Sequence, residues 1–226
     1  MSGETVGSIV SVRTGRVRQL AMPAWDRTGE ASWSSAFIKG EREGAVSVGA
    51  LGMEGDEQAD RVHHGGPEMA VLMYAAAHYE TWRGEPGLEA MGPGGLGENL
   101  TVSSLDETNV CVGDVLEVGG CVLQIASPRA PCNSISRRWN NAALLRRVTE
   151  RLWTGWYLRV LEEGNVQVGD SITLRQRLHA DWSVHSLLAL RLRTPRDPAR
   201  LAHAQTLEAM SAEWHNYFAK LALKHA

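Results

Sequence analysis

Glycine cuts the chain between residues 6 and about 174 into short apolar or alternating stretches, and this punctuation limits the folds open to it. The stretches are residues 9–12, 36–39, 45–51, 69–74, 99–102, 115–118, 122–125, 157–161 and 172–174. Runs this short, broken by Gly, Asn and Asp, predict a mainly β protein, an antiparallel barrel or sandwich rather than a βαβ repeat. Two segments look alike: Val110-Cys111-Val112-Gly113-Asp114-Val115 and Val166-Gln167-Val168-Gly169-Asp170-Ser171. Each is read as a barrel turn in which Gly-Asp leads the chain into a strand. Two helices are expected on the barrel. One spans 75–83 and ends near Gly84. The other spans 133–152, where Ile135, Trp139, Ala142, Leu145, Val148 and Leu152 keep helical spacing.

After Gln176 glycine disappears, and residues 183–193, 198–205 and 207–224 read as three helices, with Pro195 and Pro198 separating the first two. The expected organisation is therefore a barrel over 1–176 and a helical module over 177–226. The module is too short for an independent core, so it should pack on the barrel or on a partner. With 226 residues, 43% of them hydrophobic, the chain buries a core without disulfides or a structural metal. A net charge of -3 excludes a global basic field for nucleic acid or an anionic membrane. No apolar run approaches the roughly 20 residues that span a bilayer, and residues 1–19 lack a signal peptide's apolar region, so the expected location is cytoplasmic.

Three cysteines, Cys111, Cys121 and Cys132, fit neither a disulfide framework nor a CxxC metal spacing. Cys111 and Cys121 alternate with valines and read as small buried hydrophobes. Cys132 follows two prolines in Ser127-Pro128-Arg129-Ala130-Pro131-Cys132, with Arg129 nearby and a helix expected to begin just after it. A rigid thiol beside a cation and a helix N-terminus favours the thiolate, which suits a nucleophile or a soft-metal ligand. The densest polar run, Gly55-Asp56-Glu57-Gln58-Ala59-Asp60-Arg61-Val62-His63-His64-Gly65-Gly66, reads either as a solvated loop or as a polar pocket wall. His63 and His64 would point apart in a strand, and the acidic spacing does not fit a calcium loop. Gly92-Pro93-Gly94-Gly95-Leu96-Gly97 matches GxGxxG only formally, because a strand and not a helix follows it. Glu98 and Asn99 stand at the mouth of that strand, facing a ligand or capping a turn. Lys39, at a strand end, is by itself an ordinary solvated lysine.

Together these segments resemble the MOSC-domain family, in particular its YiiM-like branch. The matching pieces run in order. They are Gly55 to Asp60, His63-His64-Gly65-Gly66-Pro67, Ala70-Val71 with Tyr74, Gly97-Glu98-Asn99-Leu100-Thr101 and Val110 to Asp114. Beyond these come Leu123-Gln124 leading to Ser127-Pro128-Arg129 and Pro131-Cys132, then Gly155-Trp156-Tyr157 with Arg159-Val160, and Gly169-Asp170. They cover about residues 7–175, and the tail resembles the three-helix module that often follows the domain. The stretch after Lys39 departs from the pattern in lacking a proline.

The resemblance implies a MOSC-like β-barrel with peripheral helices that binds the molybdenum cofactor, molybdopterin. Cys132 would give its thiolate to the metal. Asp56, Gln58, Asp60, His64, Glu98 and Asn99 would meet the pterin edges. Arg129, Arg137 or Arg159 would clamp its phosphate, with Lys39 also in the cofactor set. The implied reaction is reduction of N-hydroxylated compounds, hydroxylamino purines among them, to amines, with His64 or Asp60 relaying protons. Electrons would come from a separate flavoprotein or ferredoxin-type donor. Competing readings are a non-catalytic cofactor carrier, a sulfur carrier through a Cys132 persulfide and, more distantly, a Cys-His hydrolase, for which no histidine partner is visible in the sequence. A homodimer stays open.

Overall fold

The computed structural model describes residues 3–60 and 64–223; His63, and Lys224 at the end of the last expected helix, lie outside the described residues. In chain order the strands are β1 (Glu4–Thr14), β2 (Arg18–Ala21), β3 (Ser32–Ser35), β4 (Gly40–Glu41), β5 (Val46–Gly49), β6 (Gly52–Met53), β7 (Val71–Ala75) and β8 (Leu100–Ser103). They continue as β9 (Val115–Val118), β10 (Cys121–Pro128), β11 (Trp156–Glu162), β12 (Gly164–Val166) and β13 (Ser171–Gln176). Seven of them close a barrel in the order β13-β9-β10-β11-β7-β8-β1, with β1 pairing back onto β13. All neighbours are antiparallel except β7 and β8, which run parallel.

Long β1 makes the closure possible. Its first half pairs with β13, Glu4 opposite Leu174, and its second half with β8, Val12 opposite Leu100. Register shifts between Thr5 and Gly7 and between Ile9 and Ser11 bend it from one partner to the next. Gly7 is required at that bend, because a Cβ there would lie 2.4 Å from the Ser103 carbonyl oxygen. The two Gly-Asp segments are turns of one design. Gly113 and Gly169 have φ of 87° and 92°, and the following aspartate accepts a backbone N–H from three residues back, Cys111 in one turn and Gln167 in the other. Each then opens a barrel strand.

Four expected elements differ, one of them the last helix, expected over 207–224 but beginning only at Ala212. Residues 36–39 are not a strand; the strand is the serine-rich Ser32–Ser35, which forms a hairpin with β2 and buries Trp33 and Ser35 on one face. The first helix is α1 (His78–Arg83), capped at Gly84 as expected, but Ala75 still belongs to β7. The second is broken into α2 (Ser134–Arg138) and α3 (Leu144–Arg151). At the break Asn140 adopts φ 46°, the Asn141 side chain accepts from Ala143 N–H, and Ser136 Oγ accepts from Leu145 N–H. Short polar side chains there bond the backbone locally and outcompete the helical ladder.

The tail forms α4 (Val184–Leu192), α5 (Pro198–Ala204) and α6 (Ala212–Ala222). Ser183 Oγ caps α4, and Asp197 caps α5 ahead of Pro198. Trp182, Leu187, Leu201, Trp214 and Phe218 join barrel residues such as Leu116 and Ile125 in one hydrophobic cluster. Backbone bonds stitch the start of the module to the barrel, Val112 N–H to the Trp182 carbonyl and Val184 N–H to that of Val110. Glu68, just before β7, holds α6 by accepting from Ala212 N–H and pairing with Arg159 at 3.1 Å. Among the described residues no helix is long and apolar enough to cross a membrane.

Candidate functional site

The β10 strand ends at Pro128, and Arg129 N–H still bonds the Gly155 carbonyl of the neighbouring strand before the chain leaves the barrel. Beyond Pro131, Cys132 meets the His64 side chain. Cys132 lines a cleft of about 290 Å³ that also draws Lys39, Asp56, Gln58, Asp60, His64, Asn99, Arg129 and Arg137 to its walls. The polar run is thus a pocket wall.

Burial pushes the Cys132 thiol up, but surrounding hydrogen-bond donors and a nearby positive charge outweigh it and bring the pKa down from 9.0 to about 6. They are the His64 imidazole, the Arg129 guanidinium, and the hydroxyl and backbone N–H of Ser134. In return, the Cys132 hydrogen bond raises the His64 pKa above 6.5 against its desolvation, helped by the Asp60 charge. Near neutrality Cys132 is largely thiolate, hydrogen-bonded to the His64 imidazole. The helix expected to stabilise the thiolate contributes little as a helix: α2 is 5 residues long, and specific donors do the work instead. Cys111 and Cys121 behave as buried hydrophobes, burial raising both thiols, Cys121 to about 11.

Arg129 is almost wholly buried. It donates to the Leu96 carbonyl at 2.7 Å and to Tyr157, and lies over the Phe37 ring. Gly97, beside that ring, has φ 79° and a Cβ there would strike it at 2.8 Å, so the cation's cradle needs glycine. Lys39 is not the solvated lysine its neighbours suggested. Its side chain is 7% exposed and bonds Asp56, whose other donors are Gly15 N–H and the Asn99 amide. Burial lowers the Lys39 pKa, with Asp56 opposing. Asp56 and Asn99 are therefore committed to bonds within the protein while still bordering the cleft.

Two residues expected at the pterin lie elsewhere. Glu98 is fully buried, accepting from Tyr79 Oη, Thr101 Oγ1 and the backbone N–H groups of Gly94 and Leu96. It organises the glycine-rich loop and does not line the cleft. Arg159 bonds Glu68 and Gln124 and likewise lies off the cleft. Arg137 does line it, bonded to Asp26 at 2.8 Å and set over the Trp33 ring, so that it ties the β2–β3 hairpin across the mouth. Ser134, Tyr157, Trp33 and Phe37 are site residues that sequence reasoning missed; the position of Ser134 in the first turn after Cys132 was the one available signal.

A second cavity, about 330 Å³, shares the wall of Asp60, His64, Met69, Cys132 and Tyr157 but runs instead to Glu213 and Trp214 on α6. Cys132 and His64 thus border both spaces.

Comparison with known proteins places this geometry. The family model for the MOSC domain matches residues 60–173. An uncharacterised protein, YflK, of Bacillus subtilis is 34% identical over 186 residues, 82% of this chain and 84% of that protein. A protein of Gibberella moniliformis named reductase is 37% identical over 181 residues, 79% of this chain but 31% of that longer protein. The crystal structure of YiiM from Geobacillus stearothermophilus superposes with a TM-score of 0.77 at 24% identity, over 96% of this chain and 99% of that one.

Proposed function

The chain belongs to the MOSC-domain family, in its YiiM-like branch, and from that premise we propose that it is a molybdenum-cofactor-dependent reductase of N-hydroxylated compounds. The observation that carries the reading is the thiolate of Cys132, poised at about pKa 6 on the wall of the cleft. A soft sulfur anion suits molybdenum. Among the described residues no three His, Cys, Asp or Glu converge as a metal site. Cys132 would be the protein's ligand to the metal, and the dithiolene of an organic cofactor would supply further sulfur. Arg137 and Lys39 offer charge to its phosphate, while Gln58 and Asp60 border the same space for its polar edges.

When bound, the molybdenum centre supplies two-electron removal of oxygen from the N–O bond. The balance is R–NHOH plus two electrons and two protons giving R–NH2 and water. Hydroxylamino purines and related base analogues are the substrate class, and an external flavoprotein or ferredoxin-type donor supplies the electrons. His64 would hold and relay a proton beside Cys132, its pKa raised by the Cys132 hydrogen bond and by the Asp60 charge. Arg129 holds Cys132 as an anion ready to bind metal.

Metal analysis and oxidised-pterin fluorescence on protein from a cofactor-competent host, wild type against Cys132→Ala, test the ligand. Molybdenum should fall severalfold in the variant; equal contents would remove Cys132 as ligand. Bound cofactor with no donor-dependent turnover would leave a carrier. The His64–Cys132 pair also favours a second reading, a persulfide carried on Cys132, which mass spectrometry would reveal as a labile extra sulfur in protein without molybdenum.

A further inference from the structure

The second cavity is bordered by two residues whose side-chain polar groups bond nothing among the described residues. Ser127 borders it, and its buried Oγ has no hydrogen-bond partner among the described residues. A buried hydroxyl left so costs about 1–3 kcal/mol, which makes the cavity's occupant its partner. Glu213, exposed in the first turn of α6, borders the mouth of the same space, and its carboxylate has no ion pair or hydrogen bond among the described residues. Its neighbour Glu68, by contrast, is consumed by Arg159 and Ala212 N–H, and that anchoring places Glu213 at the cavity edge. Trp214 with Pro128, Ala130 and Pro131 supplies apolar walls, and Cys132 and His64 close the reactive end.

A slot with apolar walls, a carboxylate at its mouth, a hydroxyl in its wall and a cysteine side chain on its lining has a definite chemistry. Carboxylates accept paired N–H groups from the edge of an amino-substituted ring, and a serine hydroxyl donates to a ring nitrogen or accepts from an N–H. Flat rings fill such slots with little loss of conformational freedom. We propose that this cavity, and not the cleft under the β2–β3 hairpin, is the substrate site; that it takes flat, amino-bearing nitrogen heterocycles; and that Glu213 determines that specificity. The inference rests on the reductase reading only for the reaction performed there. The helical module is thereby part of the site, lending it the residue that chooses the substrate.

The test uses the full-length protein without metal or donor and the fluorescent base 2-aminopurine as probe. Wild type should change the probe's fluorescence saturably. Glu213→Gln, a surface substitution, should weaken binding about tenfold or more, as expected for loss of a charged hydrogen-bond acceptor. Ser127→Ala should weaken it severalfold. Glu208→Gln, exposed in the turn before α6 and bordering neither cavity, should bind like wild type. Purine, without the amino group, should compete poorly. An unsaturable signal, Glu213→Gln within twofold of wild type, or purine competing equally would overturn the proposal. The two readings fail separately. Probe binding by protein that takes up no molybdenum would sink the reductase and leave the site, whereas turnover indifferent to Glu213 would do the reverse.

Discussion

Titrating Cys132 with and without His64 is the sharpest check on the site. At pH 7 a thiol of pKa about 6 is roughly 90% thiolate, whereas one at 9.0 is about 1%. Rate alone would understate the difference. A thiolate a thousandfold less basic is roughly 15- to 30-fold weaker as a nucleophile, so at pH 7 Cys132 should alkylate only a few-fold faster than an ordinary thiol. The shape of the pH profile is the better observable. Iodoacetamide alkylation of the native protein, followed at the Cys132 peptide by mass spectrometry, should rise with a midpoint near pH 6. Cys111 and Cys121, both buried and raised, should stay silent over that range. In His64→Ala the leading stabiliser of the anion is gone while burial still opposes it, so the midpoint moves up. A hydrogen bond to a charged group is worth about 1.5–3 kcal/mol, hence a rise of about one to two pH units. A wild-type midpoint in the ordinary range near 8.5, or a midpoint unmoved by His64→Ala, would refute the His64-stabilised thiolate.

Asp56→Ala should destabilise the protein by about 3–5 kcal/mol, because it strands the buried Lys39 ammonium along with Gly15 N–H; a urea midpoint close to wild type would contradict the buried pair. Glu98→Ala removes the acceptor of four donors and should cost about 3 kcal/mol or more in the same assay, with Glu98→Gln milder. Arg159→Ala should loosen α6 through Glu68, seen as faster hydrogen exchange at the amides that begin the helix; unchanged exchange there would assign Arg159 another role.

The barrel was legible because its information is local. Glycine spacing marks where strands stop, and the Gly-Asp turns carry their own side-chain bonds. The β2–β3 hairpin was not legible, since Ser32–Ser35 lacks an apolar run, and its burial of Trp33 depends on Arg137 far along the chain. Nor was the break at Asn140, where apolar spacing continued through a segment whose amides bond locally. In the site, the rigid prolines around Cys132 distinguished it from Cys111 and Cys121. Polar residues at strand mouths misled for a physical reason: a carboxylate consumed by internal donors and one awaiting a ligand look alike until the donors are placed. Glu98 and Asp56 are the first kind, and Glu213, which drew no attention in sequence, is the second.

The same logic explains why the cysteine's partner matters more than its helix. Arg129 is buried, and among the described residues it has no carboxylate to pair with; its donors go to the neutral Leu96 carbonyl and to Tyr157. A buried guanidinium cannot shed its proton, so its charge must be answered by an anion nearby. Cys132 is that anion, and the His64 pKa rises in turn because Cys132 is charged. The chain of dependence runs from the Gly97 cradle through Phe37 to Arg129, then to Cys132, and last to His64. Each link is a fixed part of the barrel or its loops. The thiolate is therefore built into the fold by the protein's own groups, and a soft-metal ligand would need that deprotonated form.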